Sequence, residues 1–166
     1  MQPPLNGLPD PMVHLKRPDT AADWNDARRL VDAYAASLNL DLSFQNFADE
    51  IEHLSTEYGP PTGAFLLAEA GGRRVGCVGL RAFSDATGEI KRLYVEPSAR
   101  GLGAGRALAE GIVELGRELG YTRLVLDTLP SMGEAQALYL SLGFQPIAPY
   151  RFNPVPGTAF LELHLR

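Results

Sequence analysis

The chain is poor in the residues that hold metals and make disulfides: it has one cysteine and three histidines in 166 residues. A lone Cys77 excludes an intrachain disulfide and a thiolate metal cluster. His14, His53 and His164 stand far apart, with no i,i+4 pair and no His-Glu-x-x-His run, so no zinc-ligand spacing is present. Positive charge is also short, with 15 Lys and Arg against 20 Asp and Glu for a net charge of −5. Gripping a phosphate backbone rewards a basic surface, so no nucleic-acid partner is expected. No apolar run reaches the roughly 20 residues that span a bilayer. The start Met1-Gln2-Pro3-Pro4 lacks the charged and apolar regions of a signal peptide. The expectation is a cytoplasmic protein with neither a membrane nor a metal to bind.

What the chain does have is enough length for one domain with a real core. Residues 1–11 carry Pro3, Pro4, Pro9, Pro11 and Gly7 with little to bury, and read as a flexible leader before a single domain over 12–166. Met12 to Lys16 reads as a first strand. Trp24, Ala27, Val31, Tyr34 and Leu38 recur at steps of three and four behind a cap at Asp19 or Thr20, the stripe of an amphipathic helix. Ser43 is the expected cap of a second helix carrying Phe44, Phe47, Ile51 and Leu54, ended by Gly59-Pro60-Pro61. Two apolar runs, Phe65 to Ala70 and Arg74 to Phe83, flank Gly71-Gly72 and predict a hairpin. A strand over Glu89 to Val95 follows. After a glycine-rich turn comes a helix with Leu108, Ile112, Leu115 and Leu119 inward, stopped by Gly120. Then come a strand at Arg123 to Leu126 and a short helix capped by Ser131, with Ala135, Leu138 and Leu142 inward. A closing strand buries Leu161, Leu163 and Leu165. A strand-helix-strand unit behind a hairpin predicts a mixed sheet with helices on both faces.

The chemistry is concentrated in the turn Arg100-Gly101-Leu102-Gly103-Ala104-Gly105. Glycines there let the backbone adopt positive φ and approach a ligand closely. The first N–H groups of the following helix lack intrahelical partners and carry about half a positive charge, so they suit phosphate oxygens. The spacing is not the dinucleotide fingerprint, because the sixth position from Gly101 is Arg106 and from Gly103 is Leu108. Nor does a Gly-Lys-Ser/Thr triplet occur for a P-loop. What stands is Arg-x-x-Gly-x-Gly.

Taken in order, Glu89-Ile-Lys-Arg-Leu-Tyr-Val-Glu-Pro97, this turn, its helix, Leu124-Val-Leu-Asp127 and Ala137-Leu-Tyr-Leu-Ser-Leu-Gly-Phe144 resemble the GNAT N-acetyltransferase superfamily. The resemblance implies an α/β (α+β) fold: a GNAT-type mixed, mostly antiparallel seven-stranded sheet, helices on both faces and two splayed parallel central strands. It implies acetyl-CoA as cosubstrate, no metal, and direct transfer to a small-molecule or peptide amine acceptor. By resemblance the pyrophosphate rests on the amides of Leu102, Gly103, Ala104, Gly105 and Arg106, beside Arg100 and Gly101. The pantetheine arm runs along Leu93, Tyr94 and Val95, and a backbone N–H of Leu93 or Tyr94 polarises the thioester carbonyl.

Two side chains take catalytic parts by the same resemblance. Tyr139 is the general acid toward the coenzyme sulfur, and Glu89 the general base toward the amine. Arg81, Lys91, Arg92 and Arg151 are a possible grouping for an acceptor carboxylate, and the proline-stiffened segment 146–157 a possible recognition loop. Asp127 and Thr128, at the carboxyl end of a strand, are placed where open sheets bind ligands. Cys77, in an apolar strand, reads as buried and inert. Acetylation of a protein lysine or N-terminus, a noncatalytic acyl-CoA sensor, and assembly as a homodimer all stay open on the sequence.

Overall fold

The computed structural model describes residues 12–38, 42 and 46–166. The leader at 1–11 and the expected cap Ser43 with Phe44 lie outside them. The strands are β1 (His14–Lys16), β2 (Ala64–Ala70), β3 (Arg73–Ala82), β4 (Thr87–Val95), β5 (Arg123–Thr128), β6 (Gln145–Pro146) and β7 (Ala159–His164). The helices are α1 (Ala21–Leu38), α2 (Phe47–Glu52), α3 (Leu54–Glu57), α4 (Ala104–Glu118) and α5 (Gly133–Ser141). One seven-stranded sheet runs in the order β1-β2-β3-β4-β5-β7-β6, with β4 and β5 its only parallel pair among the described residues.

Helix α1 starts where the sequence places it. The Thr20 hydroxyl accepts from the Asp23 N–H at 3.1 Å, and the Asp23 carboxylate accepts from the N–H groups of Thr20 and Asp19 at 3.3 and 3.1 Å. That reciprocal cap satisfies donors that the first turn leaves open. Farther on, the expected second helix is broken into α2 and α3 at His53, whose φ of −120° is not helical. Gly71 and Gly72, both at positive φ, make the two-residue turn between β2 and β3.

Two cores lie on opposite faces of the sheet. Leu108, Ala109 and Ile112 of α4 meet Leu66, Val78, Leu80, Ile90, Leu124 and Leu126 on one face. On the other, Ala27, Leu30 and Val31 of α1 meet Leu54, Tyr58, Phe65, Leu67 and Cys77. Short α5 departs from the expected pattern. It begins after Met132, not at a Ser131 cap, and its deepest residue is Tyr139, while Ala135, Leu138 and Leu142 are half-buried. On β7, Phe160 is buried as well as Leu161, because Tyr150 of the preceding loop packs edge-on against its ring at 5.5 Å.

Candidate active site

The two parallel strands are paired only at their start, Thr87–Glu89 of β4 against Arg123–Val125 of β5. Beyond Glu89 they separate, which opens a gap at their carboxyl ends. A bulge in β4 sharpens the divergence. Cys77 pairs with Tyr94 and Gly79 with Lys91, so Val78 of β3 faces two residues, Arg92 and Leu93. Arg92 takes a φ of 65°, unusual for a side chain of its size. A bulge bends its strand and re-aims side chains, and here Lys91 and Arg92 both serve the α1 face of the sheet, Lys91 in a notch beside Tyr34 and Arg92 against Glu50 of α2.

From this gap a cleft of about 820 Å³ runs to the start of α4. Leu93, Tyr94 and Val95 form one wall, Ala135 and Leu138 of α5 the other, and Tyr34 and Leu38 of α1 roof the inner end. Its volume lies within the range of ligand pockets. At the outer end stand Arg100, Gly101, Gly103, Ala104 and Gly105. Gly101 and Gly103 have φ of 88° and 82°, and a Cβ added at either meets no atom within 4 Å. The space in front of this turn is therefore open, as a docked phosphate group requires. Gly103 caps α4, and its carbonyl accepts from the Ala107 N–H at 3.0 Å. The amides of Ala104, Gly105 and Arg106 belong to the first helical turn, where no intrahelical acceptor exists. Arg100 is anchored by Nε donating to the Val95 carbonyl at 3.1 Å, which keeps its exposed guanidinium beside the turn. Leu102 is exposed, and the Arg106 side chain leaves the turn for Glu110 and Ser141.

Tyr139 of α5 is buried next to Leu138 of the cleft wall and is not itself among the residues that line the cleft. Its ring packs edge-on against Phe144 at 5.2 Å, and burial, with Tyr34 nearby, pushes its phenol well above the usual range. At neutral pH it is a protonated hydroxyl, able to donate. Glu89 is fully buried on the α1 face. Its Oε1 accepts from Arg151 Nη2 at 2.8 Å and from Arg81 Nε at 3.3 Å, and its Oε2 from the Tyr150 hydroxyl at 2.7 Å. Beside it, Glu50 holds Arg92 in a two-point ion pair, with Nε and Nη2 at 2.7 and 2.9 Å. Asp127 of β5 accepts from Asn153 Nδ2 at 3.1 Å. Among the described residues no group of His, Cys, Asp and Glu is placed to hold a metal ion, and no helix is long and apolar enough to cross a membrane.

Residues 24–144 match the acetyltransferase (GNAT) family. The chain belongs to that family. A curated N-acetyltransferase of Schizosaccharomyces pombe is 39% identical over 145 residues, covering 86% of this chain and 89% of that protein. A crystal structure of an acetyltransferase from Streptococcus agalactiae superposes with a TM-score of 0.75 at 25% identity, covering 92% of this chain and 98% of that one. The fold also matches yncA of Salmonella typhimurium, a structure with its cofactor acetyl-CoA, at a TM-score of 0.66 and 21% identity, over 93% of this chain and 94% of that one. GNAT enzymes use acetyl-CoA and act on amines, and this chain is an N-acetyltransferase.

Within that GNAT frame, the structure brings the turn, Leu93, Tyr94 and Val95 to one cleft, with Tyr139 beside its α5 wall. The four basic residues read as a carboxylate grouping lie near one another, and three of them pair with the chain's own carboxylates. Arg81, Arg92 and Arg151 are held by the chain's own Glu57, Glu50 and Glu89. Cys77 is fully buried, its thiol pushed far up by that burial and directed at the Arg92 carbonyl at 3.3 Å, so it offers no nucleophile. Glu50 is missed by sequence reasoning as a site residue. Glu50 carries no signal, being one acidic residue in a polar helix, whereas Asn153 sits in the proline-rich segment already singled out.

Proposed function

We propose that this chain binds acetyl-CoA along the cleft from the glycine turn to the strand gap, and transfers its acetyl group directly to the primary amine of a small molecule or peptide. The observation that carries this reading is one continuous cleft with an anion cradle at one end and parted parallel strands at the other. The backbone amides of Ala104, Gly105 and Arg106, with the Arg100 guanidinium, would hold the pyrophosphate. Leu93, Tyr94 and Val95 would flank the pantetheine arm, and the bulged strand at Arg92 would turn a backbone N–H of Leu93 or Tyr94 toward the acyl oxygen. Acetyl-CoA supplies the activated acyl group when bound. Tyr139, protonated and beside the α5 wall, donates its hydroxyl proton to the departing sulfur. Glu89, which the family resemblance puts forward as base, already accepts three strong hydrogen bonds. Both of its oxygens are thus taken by the chain's own Arg81, Arg151 and Tyr150, which leaves neither turned to an incoming amine. We therefore assign it the part of tying Tyr150 and Arg151 to β4.

Calorimetry with acetyl-CoA, followed by thiol release across a panel of primary amines, tests the reading. Binding and amine-dependent thiol release are expected, whereas binding without release on any amine would leave a sensor and not a transferase. Within the same assay, Tyr139→Phe is expected to lower turnover about 10²-fold while coenzyme affinity stays within severalfold. Turnover equal to the wild type would make Tyr139 a core residue only.

A further inference from the structure

At its inner end the cleft adjoins a second, smaller hollow of about 30 Å³, bounded by Tyr34, Leu38, Lys91, Arg92, Asp127 and Asn153. Tyr34 and Leu38 line both spaces, so the notch opens where the two parallel strands part. Its small size suits an amino group. Strand register explains why these side chains meet. Glu89 is level with Val125, so Lys91 and Asp127, each two residues on, are level across the gap and on the same face. Arg92 in this notch is committed to Glu50. Asp127 is different from Glu89: it is half-buried, and among the described residues its only hydrogen-bond donor is Asn153, on Oδ2. Oδ1 therefore remains to accept a proton donor from an incoming molecule. Asn153 is itself fixed, because its Oδ1 accepts from the Val155 N–H at 3.0 Å.

We propose that Asp127 receives the acceptor's amino group, binding it as an ammonium through Oδ1 and taking the proton that must leave before the nitrogen can attack. Asn153 is the positioning residue that holds the carboxylate in place. This inference rests on the transferase reading above and names the amine subsite of that same site. The balance is simple. The ammonium gives one proton to Asp127, which later passes it to water. The neutral nitrogen bonds to the thioester carbon, the C–S bond breaks with its electron pair on sulfur, and Tyr139 protonates that sulfur. The second proton lost by nitrogen returns through water to the Tyr139 oxygen. A primary alkylamine is the acceptor class this arrangement fits, because such an amine arrives charged at neutral pH and needs both a counter-ion and a base.

The test compares wild type, Asp127→Asn and Glu89→Gln in the full chain, with acetyl-CoA and a panel of primary alkylamines. Asp127→Asn is expected to lower kcat/KM about 10²–10³-fold near pH 7. The loss should shrink as pH approaches the pKa of the amine, where the acceptor deprotonates unaided. Tyr34, Lys91 and Arg92 also face the notch, and the Lys91 ammonium is brought down to about 8, by burial first and then by the Arg92 charge. The Asp127 charge raises the Lys91 pKa, so the same pair is also compared in a Lys91→Met background, where the ratio of rates isolates Asp127. Unchanged acetyl-CoA affinity shows that the variant is folded. Glu89→Gln is expected to keep the wild-type pH profile. Equal rates for Asp127→Asn and wild type, or a loss that high pH does not recover, would overturn the inference, as would a pH-recoverable loss in Glu89→Gln instead. If the wild type binds acetyl-CoA but releases no thiol with any amine, the transferase reading falls and takes this one with it.

Discussion

Gly103→Asp is expected to leave a folded protein that no longer binds acetyl-CoA. Gly103 sits at φ 82° as the residue before α4, and a Cβ there meets nothing within 4 Å. Aspartate is among the few side chains that visit this left-handed region, so the backbone cost is of order 1 kcal/mol. The fold should survive that cost, with the melting temperature within a few degrees of the wild type. Binding should not survive. The open space in front of the turn is where the pyrophosphate would rest, and the new carboxylate would project into it. Two like charges about 4 Å apart near a protein surface repel by about 4 kcal/mol, and a diphosphate presents more than one. A loss of about 10³-fold or more in affinity follows, measured by calorimetry against Gly103→Ala. Alanine brings at least as much backbone strain without the charge and should lose much less. Equal affinities for wild type and Gly103→Asp would place the coenzyme elsewhere.

The parts of this molecule that sequence makes legible are those set by neighbours in the chain. The α1 stripe, the Thr20 cap, the Gly71-Gly72 hairpin and the turn before α4 each depend on spacings of two to four residues, which periodicity and glycine chemistry report directly. The site's polar side is different in kind. Arg92 finds Glu50 across 42 residues, and Tyr150 and Arg151 find Glu89 across 61 and 62. No periodicity marks such partners, because a charged residue facing a buried ion pair looks like one facing water. The bulge at Arg92 is equally silent, since an arginine is not the residue type that announces positive φ. Short strand β6 escapes for another reason: two residues, one of them Pro146, are too few to show alternation. The resemblance places Glu89 correctly on the sheet and still cannot say that three donors occupy it.

Glu50→Ala is expected to cost about 3–5 kcal/mol of stability, a large share of the roughly 5–15 kcal/mol that holds a domain together. Both partners of the Glu50–Arg92 pair are only 3% exposed. Arg92 also lies over the rings of Phe47 and Tyr34, at 5.2 and 5.7 Å, which shield most of its guanidinium from water. Burial favours its neutral form, and in the wild type the Glu50 hydrogen bonds outweigh that and raise its pKa. With Glu50 gone the guanidinium still keeps its charge, because arginine is too strong a base to be deprotonated at ordinary pH. Truncation therefore leaves a buried, unpaired cation under α1 and α2. For a domain of this length the melting temperature should drop by about 6–20 °C. The pair's pH dependence has a definite sign. Burial raises the Glu50 pKa, the Arg92 hydrogen bonds and charge lower it by more, and the net shift is downward. Its stabilisation is thus complete above the ordinary carboxylate range and is lost as pH falls through the lowered value. The double variant Glu50→Met, Arg92→Met removes both charges and should lose less than Glu50→Ala alone, because no orphan cation remains. Should the double variant prove as unstable as the two single changes summed, the two side chains would be independent, and the bulge at Arg92 would be held by packing and not by this ion pair.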